Sequence, residues 1–255
     1  MTENSETGRG RARARRGHVR ALRPAARYGQ QSLRRVHCGH REFDAQPVDC
    51  GILRPMGRYA KVISLGLSCQ PAAHIREMLG QTEAYFFDWL VTEPEALRAT
   101  IEHDFEVLRD PEKLSYSDAR KIQILDPTTG LMFQHDFPAD GEVIRPGYAD
   151  HVDEVRGKYQ RRAARLAAVL NSGAPTLLVR LAHTAVELDE PARDGLAQLV
   201  NEKFKGDFTF LWASPAATES RRCRNGYVAA LKPDWSHWKG DAASWRKAFE
   251  FAGAL

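Results

Sequence analysis

Cys69 stands where a cysteine can become a nucleophile. It closes the stretch Lys61-Val-Ile-Ser-Leu-Gly-Leu-Ser-Cys69-Gln, in which Val62, Ile63 and Leu65 form a short apolar run. That run reads as a buried strand. Gly66 then permits a sharp turn, and Pro71-Ala-Ala-His-Ile-Arg-Glu-Met-Leu79 begins a helix. Proline suits the first helical turn, where no amide donor is needed. The pattern puts Cys69 at or just before a helix N-terminus. Unpaired amides and the helix dipole favour a thiolate there and lower a thiol's pKa. A small residue packed in a strand-to-helix turn would look the same locally, so the chemistry depends on a base elsewhere in the chain.

Two later segments carry the groups such a thiol needs. Leu131-Met-Phe-Gln-His-Asp-Phe137 reads as a strand bearing His135, and Tyr85-Phe-Phe-Asp-Trp-Leu-Val91 is a dense apolar run with Asp88 in its middle. An imidazole beside the thiol can take its proton and deliver it to a leaving group, while amides at the helix start hold the oxyanion. A third group should orient the imidazole. Asp136 is the neighbour in sequence, but adjacent residues of a regular strand point to opposite faces. Asp88 is the better physical candidate, because a buried acid needs a partner and a histidine would serve. The structural alternatives are a turn-capping carboxylate for Asp88 and a satisfied strand histidine for His135.

These segments, in this order, resemble a known family. The blocks Ile63-Ser-Leu-Gly-Leu-Ser-Cys-Gln-Pro-Ala72, Tyr85-Phe-Phe-Asp-Trp-Leu-Val-Thr92, Phe133-Gln-His-Asp-Phe137 and Leu177-Leu-Val-Arg-Leu181 are similar to those of bacterial papain-like cysteine peptidases. That domain family is otherwise of unknown function. The Trp238-Lys-Gly-Asp ending with Trp245 fits as well, and the resemblance covers most of residues 61–213. It implies a cysteine nucleophile, matched by Cys69, and a histidine base, matched by His135, with a peptide or acyl bond as the target. No cofactor is implied.

The elements that must position these groups follow from period and punctuation. Thr92-Glu-Pro-Glu95 reads as a capping box with Thr92 as N-cap, opening a helix to about Phe105. Lys121-Ile-Gln-Ile-Leu125 and Leu131–Phe137 flank the turn-forming Asp126-Pro-Thr-Thr-Gly130, which predicts a hairpin. Residues 148–171 form a long amphipathic helix stopped by Gly173, with Arg161, Arg162 and Arg165 on a solvated face. Thr176–Leu181, a helix over about 190–204 and Phe208–Trp212 make a strand–helix–strand unit, the signature of parallel pairing. A last helix starts near Ala242, with Trp235, Trp238 and Trp245 packing around it. The expected fold is α/β, a mixed, mostly parallel sheet flanked by helices with a β-hairpin insertion. The alternative is the α+β arrangement that the papain-like label implies. A strand directly before Cys69 favours the former, in which active sites sit at strand carboxyl ends.

Two other functions compete. Asp234-Trp-Ser-His237 has the Asp-x-x-His spacing found near the C-terminus of SGNH-type esterases. Cys69 would then replace the usual serine, but that family's other blocks are missing. Outside enzymology, the same fold could be a non-catalytic domain binding a glycan or polymer through its aromatic segments.

Charge and composition narrow the field. Residues 1–57 hold twelve arginines and five acids, a net of +7, whereas the remainder, with 25 basic and 28 acidic residues, carries −3. The front segment is low-complexity and reads as a disordered Arg-rich extension. Met56, just ahead of the first strand, is a natural alternative start. Residues 58–255 read as a single hydrolase domain. Phosphate binding needs a basic face, which opposes nucleic acid as a partner. Cys38, Cys50, Cys69 and Cys223 match no disulfide framework, and His37, Cys38, His40 and Cys50 lack paired zinc spacing. His74, His103, His151 and His183 show no metal-ligand spacing and read as surface or helix-face residues. Neither a phosphate loop nor an apolar run of membrane-spanning length is present. With no secretory h-region either, the expectation is a cytoplasmic protein without metal or cofactor. The sequence carries no signal of oligomeric state.

Overall fold

A computed structural model describes residues 57–255 except Trp235. The expected Arg-rich extension, the start at Met56 and the His37, Cys38, His40 and Cys50 group lie outside the described residues. The described residues open with β1 (Lys61–Ser64) and α1 (Gln70–Leu79). An insertion follows: β2 (Leu90–Val91), α2 (Pro94–Glu102), β3 (Ser115–Tyr116), β4 (Ile124–Asp126), β5 (Leu131–Phe133), β6 (Ala139–Asp140) and β7 (Val143–Ile144). The long α3 (Val152–Leu170) returns the chain to β8 (Pro175–Leu181). Then come α4 (Ala185–Leu188), α5 (Glu190–Lys203), β9 (Asp207–Ser214), β10 (Arg221–Cys223), β11 (Gly226–Ala230) and α6 (Ala242–Ala252).

The main sheet has the order β1-β8-β9-β11-β10, and its pairs are parallel except β10 with β11. A second, antiparallel sheet runs β2-β5-β4-β3 and contains the expected hairpin. The architecture is therefore α/β, a mostly parallel sheet flanked by helices with a hairpin insertion. The hairpin turn is organised by Asp126, whose carboxylate accepts from Thr128 N at 3.0 Å, Thr129 Oγ1 at 3.1 Å and Leu108 N at 2.8 Å.

The main sheet is a middle layer, which explains its near-continuous apolar strands. Successive residues point to opposite faces. Val62, Leu177, Val179 and Leu211 pack with Ile75 of α1 and with Trp245 and Phe249 of α6. Ile63, Leu178, Phe210 and Trp212 face the other way, into a larger core with Phe86, Phe133, Tyr159 and Leu196. The C-terminal aromatic Trp245 is 1 % exposed, as a packing role requires.

Three details depart from the sequence expectations. The helix expected to reach Phe105 ends at Glu102, and Phe105 is buried beyond it with a positive φ of 61°. Arg165 of α3 is exposed, yet its guanidinium donates to Ala84 O at 2.6 Å and ties the helix to the insertion. The strand β11 had no expectation at all. Its Gly-Tyr-Val-Ala-Ala sequence is short and alanine-rich, and its place in the ladder rests on a backbone approach that only glycine allows.

That approach yields a test. A Cβ on Gly226 would lie 2.0 Å from Phe210 O, inside the β9–β11 ladder, at a φ of 146°. Gly226→Ala is expected to destabilise the fold by roughly 3 kcal/mol, read as a lower urea midpoint. An unchanged midpoint contradicts this pairing.

Candidate active site

The turn between β1 and α1 is strained and held from several sides. Gly66 and Leu67 are both left-handed, with φ of 75° and 78°. For leucine this conformation carries a steric cost that surrounding contacts must offset. Thr92 supplies them: its Oγ1 accepts from Leu67 N at 2.8 Å and its own amide donates to Leu67 O at 3.4 Å. The same hydroxyl donates to Leu65 O at 3.5 Å. Arg180 of β8, 2 % exposed, donates through Nη1 to Leu65 O at 3.2 Å and to Thr92 Oγ1 at 3.3 Å. Its other edge pairs with Glu187 Oε2 at 3.0 and 3.2 Å. Gly66 is required here, since a Cβ would lie 2.2 Å from Thr92 Oγ1. Thr92 thus does not cap α2, contrary to the capping-box expectation; Glu93 holds the N-cap position and Thr92 is fully buried in the clamp.

Cys69 follows at the N-cap of α1, as expected. Its backbone is already helical (φ −68°, ψ −11°) and its side chain makes no capping bond. The local capping is done by Ser68, whose Oγ accepts from Gln70 N at 3.3 Å. The residue is 8 % exposed. The start of α1 is pinned by the C-terminal segment: Gln70 Nε2 donates to Trp238 O at 3.0 Å, and Trp245 Nε1 donates to Gln70 Oε1 at 3.3 Å. His74 Nε2 donates to Lys239 O at 2.8 Å while its ring stacks on Trp245 at 5.1 Å, and burial lowers its pKa.

His135 lies in a different local structure from the one its sequence suggests. The strand ends at Phe133, and residues 134–137 form a bend. The rule that neighbours face opposite ways therefore does not apply to Asp136. Its carboxylate, with the side chain 1 % exposed, accepts from Lys158 Nζ at 2.7 Å and from Tyr159 OH at 2.9 Å, which fastens the bend to α3. Half-buried His135 stands between this anchor and Phe133. Burial above all holds the Tyr159 phenol well above its usual pKa; the Asp136 charge adds to this, Arg162 opposes it, and Cys69 gives a smaller push in the same direction. The thiol therefore lies within electrostatic reach of the group that anchors the His135 bend. The two segments are also linked through the backbone, because β2 pairs Leu90 with Phe133 and continues directly into Thr92.

Asp88 takes the turn-capping alternative. It accepts from Tyr85 N at 2.9 Å and lies 3.6 Å from Arg76 Nη2 of α1. Burial raises its pKa to about 6, against the opposing pull of the Tyr85 amide, Arg76 and Arg162. Asp234 and His237 each serve their own loop. Asp234 Oδ1 accepts from Ser236 N at 2.9 Å and Ser236 Oγ at 2.6 Å, and Lys239 N donates to His237 Nδ1 at 3.2 Å. Among the described residues no group of three or more His, Cys, Asp or Glu could hold a metal ion. No helix among them is long and apolar enough to cross a membrane.

Residues 60–205 match the model of a family described as putative papain-like cysteine peptidase. No curated protein and no solved structure matches the chain. The matched region is more than half of the sequence and holds both Cys69 and His135. The chain belongs to this family.

Two outcomes are expected from this geometry. Thr92→Val keeps the shape but leaves Leu67 N without its acceptor and should cost about 2 kcal/mol in urea unfolding, whereas Thr92→Ser should recover most of it. For Asp88, the folded carboxyl keeps its proton to about pH 6 and the unfolded one only to 3.8. The folded state thus binds more protons between these values, and stability falls as pH rises through them. Asp88→Asn should flatten that part of a Tm–pH profile; an unchanged slope contradicts the assignment.

Proposed function

We propose that this member of the papain-like cysteine peptidase family is a cysteine hydrolase acting on a peptide or related acyl bond, with Cys69 as nucleophile and His135 as base. The observation that carries the reading is the setting of Cys69. Its thiol is unused for capping, stands at the N-terminus of α1, and is delivered by a clamped, left-handed turn at the carboxyl end of a parallel strand. Strand carboxyl ends are where α/β folds place their sites, and the helix terminus favours a thiolate.

In the proposed reaction His135 takes the Cys69 proton, and the thiolate attacks the substrate carbonyl. Negative charge develops on the carbonyl oxygen beside the first amides of α1, of which Pro71 supplies none. The C–N bond breaks as His135 protonates the leaving amine, leaving a thioester on Cys69. Water then attacks the thioester, the acid departs and the thiol is restored. Asp136 acts through the bend, holding it to Lys158 and Tyr159 so that His135 is presented in one orientation.

Alkylation tests the pair directly. Iodoacetamide should modify Cys69 with a pH midpoint at least about one unit below the ~8.5 of an ordinary thiol, and His135→Ala should raise that midpoint. An ordinary midpoint that does not move with His135→Ala leaves a binding domain as the function of the fold.

A further inference from the structure

His74 is fully buried on α1, the helix that begins just after Cys69, and it ties the C-terminal segment to that helix. Its Nε2 donates to Lys239 O at 2.8 Å, and its ring stacks on Trp245 of α6 with 5.1 Å between centroids. Residues 237–241 form no helix or strand and lead directly into α6. A segment of this kind is docked by individual bonds and can open without unfolding the core. The same segment pins the start of α1. Trp238 O accepts from Gln70 Nε2 at 3.0 Å, one residue after the thiol, and Lys239 pairs with Glu77 two turns further along the helix.

The second ring nitrogen of His74 sets how this tie responds to acid. Nδ1 is buried and has no hydrogen-bond partner among the described residues. In a neutral imidazole only a lone pair goes unused. A second proton would sit on Nδ1 with no acceptor, as a buried charge lacking a hydrogen bond, which is far more costly. Glu77 faces the ring from α1, Lys239 and His237 face it from the docked segment, and α6 presents uncharged Trp245. Glu77 is already engaged by Lys239. Burial above all keeps the imidazole neutral below its ordinary range. Release of 237–241 would give the ring access to water.

We propose that His74 is a pH-sensitive positioning residue for the nucleophile's helix: while neutral it docks residues 237–241 on α1, and on gaining a proton it releases them together with the pin on Gln70. The docked state binds fewer protons than the released state, whose imidazole titrates near the ordinary 6.5, so docking weakens as pH falls through that value. The consequence for catalysis rests on the cysteine hydrolase reading, whereas the docking does not and is read without substrate.

Hydrogen–deuterium exchange of the full chain at about pH 7.5 and about pH 5, corrected for the intrinsic pH dependence of amide exchange, tests this. Wild type should lose protection at 237–241 and in the first turn of α1 by about tenfold per pH unit below 6.5, the slope of one proton, while β8 stays protected. His74→Gln can still donate to Lys239 O but cannot titrate, and should remain protected at both pH values. His74→Phe keeps the stack on Trp245 without the bond, and should exchange faster at 237–241 at both, with the pH dependence gone. Wild-type protection that does not change with pH overturns the proposal, as does a wild-type pH dependence that persists in either variant. Loss at 237–241 with the first turn of α1 unaffected overturns the positioning role. An ordinary Cys69 alkylation midpoint beside a pH-dependent exchange profile removes the catalytic consequence and upholds the docking switch.

Discussion

The candidate site depends on one constraint: a leucine held left-handed. Leu67 departs from the conformations that its side chain favours, and it stays there because Thr92 bonds both its amide and its carbonyl. Arg180 stands behind that clamp as a buried cation with Glu187 on its other side. Breaking such a buried pair by removing one partner commonly costs about 3–5 kcal/mol, so the brace resists loosening. The result is a fixed exit angle for the chain, which enters α1 with Cys69 already helical. Without that angle the thiol would have no defined relation to the helix terminus.

The insertion between α1 and β8 acts through the same point. Its strand β2 ends at Thr92, and β5, paired with β2, runs into the bend that carries His135. The far side of that bend is fastened to α3 by Asp136, Lys158 and Tyr159. Three parts of the chain distant in sequence therefore meet at one turn: β1 with α1, the antiparallel insertion, and β8 with Arg180. The C-terminal segment adds a fourth support by pinning Gln70 through Trp238 and Trp245.

Much of the scaffold was legible in the sequence because it rests on local signals. The apolar run before Gly66, the proline after Cys69, the Asp126–Gly130 turn and the strand–helix–strand unit each act over a few residues. What escaped was long-range. Thr92 looked like a helix cap because its neighbours are Pro94 and Glu95; only the packed fold shows its hydroxyl taken by Leu67 and Arg180. Asp136 looked badly placed because Leu131–Phe137 reads as one strand, and the bend after Phe133 arises from the anchor on α3. The family blocks contain Cys69 and His135 and also the bracing residues Thr92, Asp136 and Arg180, but the blocks alone do not say what those three hold.

The central claim is that the setting of Cys69, and not cysteine chemistry in general, makes it reactive. The chain contains its own control in Cys223, a half-buried thiol on β10 whose pKa is pushed up by burial. The most direct measurement is peptide mass mapping after a substoichiometric dose of a small thiol electrophile at about pH 6, where ordinary thiols are almost wholly protonated. The account predicts label on Cys69 and none on Cys223. Label on Cys223 equal to or ahead of that on Cys69 would contradict it.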